Sequence, residues 1–345
     1  MRRTPTIVTA LAAAAAATAL LLTGCVAGEG SAAEPKSTSG TTQGGTLNID
    51  FATYNPLSLV IKKEGWLEKA LKKQGITVNW VQSAGSNKAN EALRSGAIDV
   101  GSTAGSAALL ARSNGSPIKT IDIFSQPEWS AIVVGPNSDI TSVEQLKGKQ
   151  VAATKGTDPY FFLLQALEAN GLSAGDVTIQ NLQHADGWAA LQNGSVQAWS
   201  GLDPIMANAE KSGAKLIYRN VSFNTYGFLN ATESFLKDKP DVAQTVVNTY
   251  EYARAWAQEH PDETAQILSD VAGIDKQVAT TVITERTNLD VSPIPGDAQV
   301  KVLKKVGPIF VESGDVRAQS DIDAALKSLL DPSFAKAADP SAIAG

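Results

Sequence analysis

Cysteine is almost absent. The 345-residue chain has one, together with two histidines and two methionines. A single cysteine builds no disulfide framework, and one cysteine with two histidines is too few for an ordinary structural zinc site. The sequence therefore implies no metal and no cofactor. Aromatic residues make up 6% of the chain and no run of basic residues occurs, so nucleic acid is excluded as a partner. What is present is ordinary globular composition, 43% hydrophobic and 19% charged, with a formal charge of −6. The length suffices for a sizeable core and for two lobes rather than one.

The lone cysteine follows a recognisable leader. Arg2 and Arg3 precede an apolar, alanine-dominated run from Ile7 to Leu22, and the stretch closes on Leu22-Thr23-Gly24-Cys25. A positive start, a short apolar segment and small residues at its end read as a secretory signal rather than a fold element. The last four residues resemble the lipobox of bacterial lipoproteins. That resemblance implies residues 1–24 as signal peptide, lipidation of Cys25, and a protein anchored to the membrane at the cell surface or in the periplasm. Each buried lipid methylene contributes about 0.8 kcal/mol to such anchoring. Residues 25–45, rich in Gly, Ser, Thr and Ala without apolar periodicity, read as a flexible tether.

The remainder is written twice. "ALRSGAIDVGSTAG" (Ala92–Gly105) matches "ALQNGSVQAWSGLD" (Ala190–Asp203), "ALKKQGI" matches "ALEANGL", and Asn55-Pro56 matches Asp158-Pro159. Each copy starts with a short apolar strand. A helix follows, capped by Asn55 or Asp158 with proline in its first position, and stops at Gly75 or Gly171. Then come a second strand, a helix to Gly96 or Gly194, and a third strand ending at Gly101 or Trp199. This alternation gives parallel pairing with right-handed crossovers. A repeat of this length marks duplicated domains rather than a solenoid. The expected fold is α/β, two duplicated lobes around a cleft. Lobe 1 takes residues 46–130 and 223–345, with the C-terminal helices wrapped around it; lobe 2 takes residues 131–222. Trp129–Ala131 and Phe223–Thr225 are the expected hinges.

In open parallel α/β sheets ligands bind beyond the carboxyl ends of the strands. The candidate ligand-binding residues on the loops at those ends are Tyr54, Asn55, Gly85, Ser86, Ser102, Thr103, Thr154, Gly156, Thr157 and Asp203. Most of these loops open helices, whose first amides are free and partly positive. Such termini hold an anion without a cationic side chain. A doubly charged phosphate favours an arginine fork, and these loops contain no arginine. The composition therefore points to a small monoanion such as sulfonate, nitrate or bicarbonate. Tyr54, Trp129, Tyr160 and Trp199 are the aromatic candidates for covering an organic tail. Asp203 is either a helix cap or the partner of a donor on the ligand. His184 is the only nearby group expected to titrate near neutrality, so binding is expected to vary little between about pH 5 and 8.

The run from "NPLSLVIKKEGWLEKAL" through "LKGKQVAATKGT" and "GSVQAWSGLDP" resembles the periplasmic binding proteins of ABC transporters for aliphatic sulfonates, with taurine- and nitrate-binding relatives sharing the pattern. It covers Leu47 to about Phe310. The resemblance implies a type II periplasmic-binding-protein fold, capture of a small organic anion in the cleft, and delivery to an ABC permease and its ATPase. Leu202 stands where the sulfonate binders usually carry an aromatic residue, and Tyr160 where a histidine often follows the Lys-Gly-Ser turn. The chain is expected to act as a monomer. Taurine, nitrate and a thiamine-precursor pyrimidine remain other cargoes. The competing class is a surface enzyme. "GSTAG" places Thr103 where a nucleophile elbow needs serine, and neither His184 nor His260 is an obvious base for it.

Overall fold

The computed structural model describes residues 44–343. The leader, Cys25 and the tether through residue 43 lie outside the described residues. The first sheet is entered through β1 (Gly45–Phe51), followed by α1 (Pro56–Glu64), α2 (Trp66–Lys72), β2 (Ile76–Gln82), α3 (Ser86–Ser95), β3 (Val100–Ala104), α4 (Gly105–Ser113) and β4 (Ile118–Ser125). The chain then crosses to β5 (Ser130–Val134), β6 (Gln150–Ala153), α5 (Asp158–Ala169), β7 (Thr178–Asn181), α6 (His184–Gln192), β8 (Ala198–Leu202), α7 (Ile205–Lys211) and β9 (Lys215–Arg219). It returns through β10 (Gly227–Thr232) and continues with α8 (Glu233–Asp238), α9 (Pro240–Glu259), α10 (Pro261–Ala272), α11 (Lys276–Thr281) and α12 (Asp297–Glu312).

The two sheets have one design. Their strand orders are β2-β1-β3-β10-β4 and β7-β6-β8-β5-β9. β1 pairs in parallel with β2 and β3, as β6 does with β7 and β8. In each sheet the fourth position is filled by the first strand after a crossing, and that strand runs antiparallel to its neighbours: β10 in the first, β5 in the second. Each sheet is therefore completed by a strand that arrives from the other.

Local chemistry explains the elements. The Asn55 side chain accepts from Ser58 N at 3.3 Å, Pro56 takes the first helical position of α1, and Gly65 ends it in the left-handed region, where glycine carries no Cβ penalty. In α9 the buried residues Val242, Ala243, Val246, Val247, Tyr250, Ala253 and Ala257 recur at three- and four-residue spacing, which turns one apolar stripe to the core. Three boundaries differ from the sequence reading. The first helix does not run unbroken to Gly75 but is interrupted at Gly65, which separates α1 from α2. The cap of α5 is Thr157, with Asp158 already helical. The third strands run on to Ala104 and Leu202, so Gly101 and Trp199 lie within them, not at their ends.

The C-terminal helices do more than wrap the first sheet. α9 and α10 pack on α1, but α12 lies against both α4 and α5, and α11 reaches α7. Phe310 of α12 meets Phe161 of α5 with ring centroids 4.3 Å apart. Both rings are fully buried, and each contributes about 1.5–3 kcal/mol by leaving water.

Candidate functional site

The carboxyl ends of β1, β2 and β3 face those of β6, β7 and β8, and the helices that follow them meet end to end. Two such meetings organise the site. In the first, α4 opens against α5. Asp158, 1% exposed, sends its carboxylate into the junction and accepts four hydrogen bonds. Ser106 Oγ donates at 2.6 Å and Thr225 Oγ1 at 2.5 Å to one oxygen; Trp129 Nε1 at 2.9 Å and Thr225 N at 2.8 Å donate to the other. Burial raises its pKa and these donors oppose the rise. Asp158 thus joins α5 to α4 and to both crossing segments. The sequence reading, which made it a cap, missed this. Tyr226, in the second crossing, is held at φ 66, a conformation that costs a non-glycine residue about 1–2 kcal/mol. Its carbonyl accepts from Gly105 N at 3.1 Å.

In the second meeting, the start of α3 faces the start of α6. Gly85 precedes α3 in an extended conformation, and a Cβ there would stand 2.9 Å from both His184 Nε2 and Asn87 Oδ1. Only glycine admits so close an approach without displacing a neighbour. Gly156, at φ 77, lies beside Asn87 and Leu110, where a Cβ would make ordinary contacts at 3.6 and 3.9 Å. The first amides of α3 have no acceptor within the helix, and this end of the helix lies beside His184 at the junction.

The expected residues divide. Gly85, Ser86, Thr154, Gly156 and Thr157 gather at the junction of the two halves. Ser86 Oγ accepts from Ala104 N at 2.9 Å, and Thr157 Oγ1 donates to Thr154 O at 2.6 Å. Ser102 is also at the strand ends, but its N and Oγ both donate to Asp50, at 2.9 and 3.1 Å. Thr103 Oγ1 donates to Ala104 O and accepts from Asn230 Nδ2. Asn55 is committed to capping and donates to Tyr250 Oη at 3.1 Å. Tyr54 donates to Ser102 O and meets Trp129 edge-on at 6.1 Å; both aromatics sit beside the Asp158 junction.

Three of the candidates are engaged within the protein. Trp199 is fully buried on the α6 side of its sheet, packed on Trp188 and Gly187, because strand alternation turns it from the cleft. Tyr160 directs its hydroxyl towards Asp315 and Ser313, and burial raises its pKa to about 12. Asp203 accepts from Ala207 N at 2.9 Å and pairs with Arg286 at 3.2 Å. Arg286 arrives from the turn after α11 and also binds Glu210; no local sequence signal linked it to Asp203.

The expectation that His184 alone titrates near neutrality also fails. Burial lowers its pKa to about 4, whereas burial raises Asp50 to about 7 against the bonds from Ser102 and Ser83. Burial likewise holds Asp203 at about 6 despite Arg286. A carboxylate inside "LNIDFA", a strand apolar on both sides, was the available signal for Asp50.

Comparison with known proteins agrees with this architecture. The chain matches the NMT1/THI5-like family over residues 59–264. It is 32% identical over 290 residues to a putative aliphatic sulfonates-binding protein of Bacillus subtilis, spanning 83% of this chain and 85% of that one. A protein of the same description from Escherichia coli is 28% identical over 280 residues, 80% of this chain and 86% of that one. The alkanesulfonate-binding protein of Xanthomonas axonopodis pv. citri, bound to MOPS, superposes with a TM-score of 0.74 at 24% identity over 81% of this chain and 97% of that one. The fold is that of the periplasmic binding proteins, and the chain belongs to the NMT1/THI5-like family.

Proposed function

We propose that the chain is an extracytoplasmic solute-binding lipoprotein that captures a small organic anion, above all an aliphatic sulfonate, and hands it unchanged to an ABC importer. The observation that carries this reading is the junction at Gly85, where the N-terminus of α3 meets α6 from the other half and the nearest side chains are Asn87 and His184 rather than a lysine or an arginine. A sulfonate is a fixed monoanion, and helix N-termini stabilise such a charge by about 0.3–1 kcal/mol each, up to about 2 when partly buried. Arg286 is already matched by Asp203 and Glu210, so its guanidinium is not free for a dianion. The sulfonate-binding relatives support the same cargo.

A neutral pyrimidine would need stacking faces, and Trp199 and Tyr160 are engaged elsewhere. An enzyme would need an activated nucleophile, and Thr103 has Asn230 rather than a base beside it. A lipid on Cys25 with a tether of some 20 residues reaches about 25 Å from the membrane, enough for the body to turn towards a permease.

Titration calorimetry of the mature chain against short alkanesulfonates, taurine, nitrate and sulfate tests the cargo. Binding of the sulfonates without sulfate is expected; no heat with any sulfonate refutes the assignment. Release of the protein from membranes in a Cys25→Ala variant tests the anchor, and retention refutes it.

A further inference from the structure

Asp50 is a fully buried carboxyl group whose partners are neutral donors rather than cations. It lies one residue before the end of β1. Ser102 N reaches it at 2.9 Å, Ser102 Oγ at 3.1 Å, and the Ser83 hydroxyl also bonds it. The ionisable groups that face it are Tyr54, in the turn after β1, and Tyr250 of α9, which also faces Asp122 of β4. Burial favours the uncharged form of all three. Arg254, on the same helix as Tyr250, is engaged by Glu251 at 3.0 Å, by Asp122 at 3.6 Å and by the carbonyls of Phe124 and Leu289.

The two serines connect this carboxyl to the junction. Ser83 stands two residues before Gly85, in the loop that opens α3, and its N donates to Phe51 O at 3.0 Å. Ser102 stands two residues before Ala104, whose N donates to Ser86 Oγ at 2.9 Å. One hydrogen bond and two residues place the Asp50 carboxyl about 10 Å from the start of α3. Ionised, Asp50 claims the Ser102 amide and both hydroxyls, and its charge opposes the field that the α3 amides offer an anion. At an effective dielectric constant of about 20, two like charges about 10 Å apart repel enough to weaken binding on the order of tenfold. Protonation of Asp50 removes that repulsion. Burial has already raised its pKa to about 7, and an arriving anion raises it further. Of the other groups at the junction, burial keeps His184 neutral, and Asp186 is exposed.

We propose that Asp50 is a proton-linked positioning residue of the anion site: it takes up a proton as the anion binds, through the serines that tie it to the loops opening α3 and α4. The inference rests on the sulfonate reading above and adds regulation by pH. Cargo is held more firmly in acidic surroundings and released more readily in alkaline ones. The linkage works without contact between Asp50 and the ligand, because it acts through charge and through the two serine-bearing segments.

The test is calorimetry on the mature chain with ethanesulfonate and butanesulfonate, which carry no group that titrates near neutrality. At pH 7, heats measured in buffers of different ionisation enthalpy are expected to report uptake of about 0.4 proton per ligand bound. Affinity is expected to fall on the order of tenfold between about pH 6 and pH 8.5. Asp50→Asn keeps an acceptor for Ser102 N and is neutral at every pH. In that variant the proton uptake is expected to vanish, and affinity at about pH 8.5 to exceed the parent's on the order of tenfold; a merely structural role would weaken binding equally at every pH. If Asp50→Asn fails to fold by circular dichroism, Ser83→Ala supplies the answer: it removes a donor to the carboxylate, so the fall in affinity is expected to move to higher pH. A parent whose binding takes up no proton, a pH dependence that survives Asp50→Asn, or an unmoved fall in Ser83→Ala overturns this inference and leaves the sulfonate reading standing. Absence of binding by every sulfonate overturns both.

Discussion

Replacing Asp158 separates its role as a joint from that of an ordinary helix residue. Alanine at 158 orphans four donors. The hydroxyls of Ser106 and Thr225 turn about their C–O bonds and find other acceptors, but Trp129 Nε1–H and Thr225 N–H are fixed in place. Each fixed buried donor left alone costs about 1–3 kcal/mol. Relief from burying the carboxylate offsets part of this, and a net loss of about 2–5 kcal/mol follows. Asparagine behaves differently. Its carbonyl oxygen keeps the two fixed donors, and its amide faces the two hydroxyls, which accept as readily as they donate. About 1 kcal/mol is the expected loss. Urea unfolding at pH 7, followed by circular dichroism, measures both variants. Small-angle scattering is expected to show a larger radius of gyration for Asp158→Ala, because the carboxylate ties α5 to α4 and the crossings. An alanine variant within about 0.5 kcal/mol of the parent, or an asparagine variant as unstable as alanine, refutes the assignment.

The remaining expectations concern charge, closure and reporting. Asp50 has a folded pKa of about 7 against an ordinary 3.8, so the native state holds its proton more tightly. Its contribution to stability is complete below about pH 4 and is lost as pH rises to about 7, with a slope of at most about 1.4 kcal/mol per pH unit; unfolding across this range is expected to lose that slope in Asp50→Asn, and an unchanged profile counts against it. Gly85→Ala puts a methyl 2.9 Å from His184 Nε2 and Asn87 Oδ1. The extended backbone there accepts alanine, so calorimetry is expected to show at least a tenfold loss of sulfonate affinity with a melting temperature close to the parent's. Trp129 donates to Asp158 at the crossing, whereas Trp199 is packed beneath α6. The ligand-induced change in tryptophan emission is expected to vanish in Trp129→Phe and to persist in Trp199→Phe.

What the sequence made legible was what neighbours in the chain decide. Asn55-Pro56 caps α1 through a bond three residues long, and the expected glycine stops at Gly75 and Gly96 are left-handed turns. Because these signals are local, the duplicated strand–helix order could be traced from them. Residue-by-residue alternation was harder. The third strands run past Gly101 and Trp199, and inside a strand the period of two gives each side chain a fixed face; Trp199 fell on the α6 face. The pairings that build the site were out of reach, because they join distant segments: Ser106 with Asp158 and Thr225, Asn55 with Tyr250, Asp203 with Arg286. A buried carboxylate within an apolar strand marks that such a partner exists but carries no address.

The duplication itself bears on where an anion sits. α3 and α6 follow equivalent strands, β2 and β7, so their meeting at Gly85 and His184 lies on the pseudo-twofold relation between the halves. α4 and α5 follow β3 and β6, which are not equivalents, and that junction is off the axis. The off-axis junction is already filled: Asp158 places the protein's own carboxylate against Ser106 at the start of α4, and Thr225 Oγ1 takes the amide of Ser106 at 2.8 Å. Helix dipoles attract negative charge to whichever terminus is open. With one junction satisfied from within, the partial positive charge of α3 and α6 is left for a charge from outside. Their facing first turns carry one acid, Asp186, and it is exposed. On the proposed reading the chain fills one junction with its own Asp158 carboxylate, and the junction of α3 and α6 is the one offered to an anion from outside.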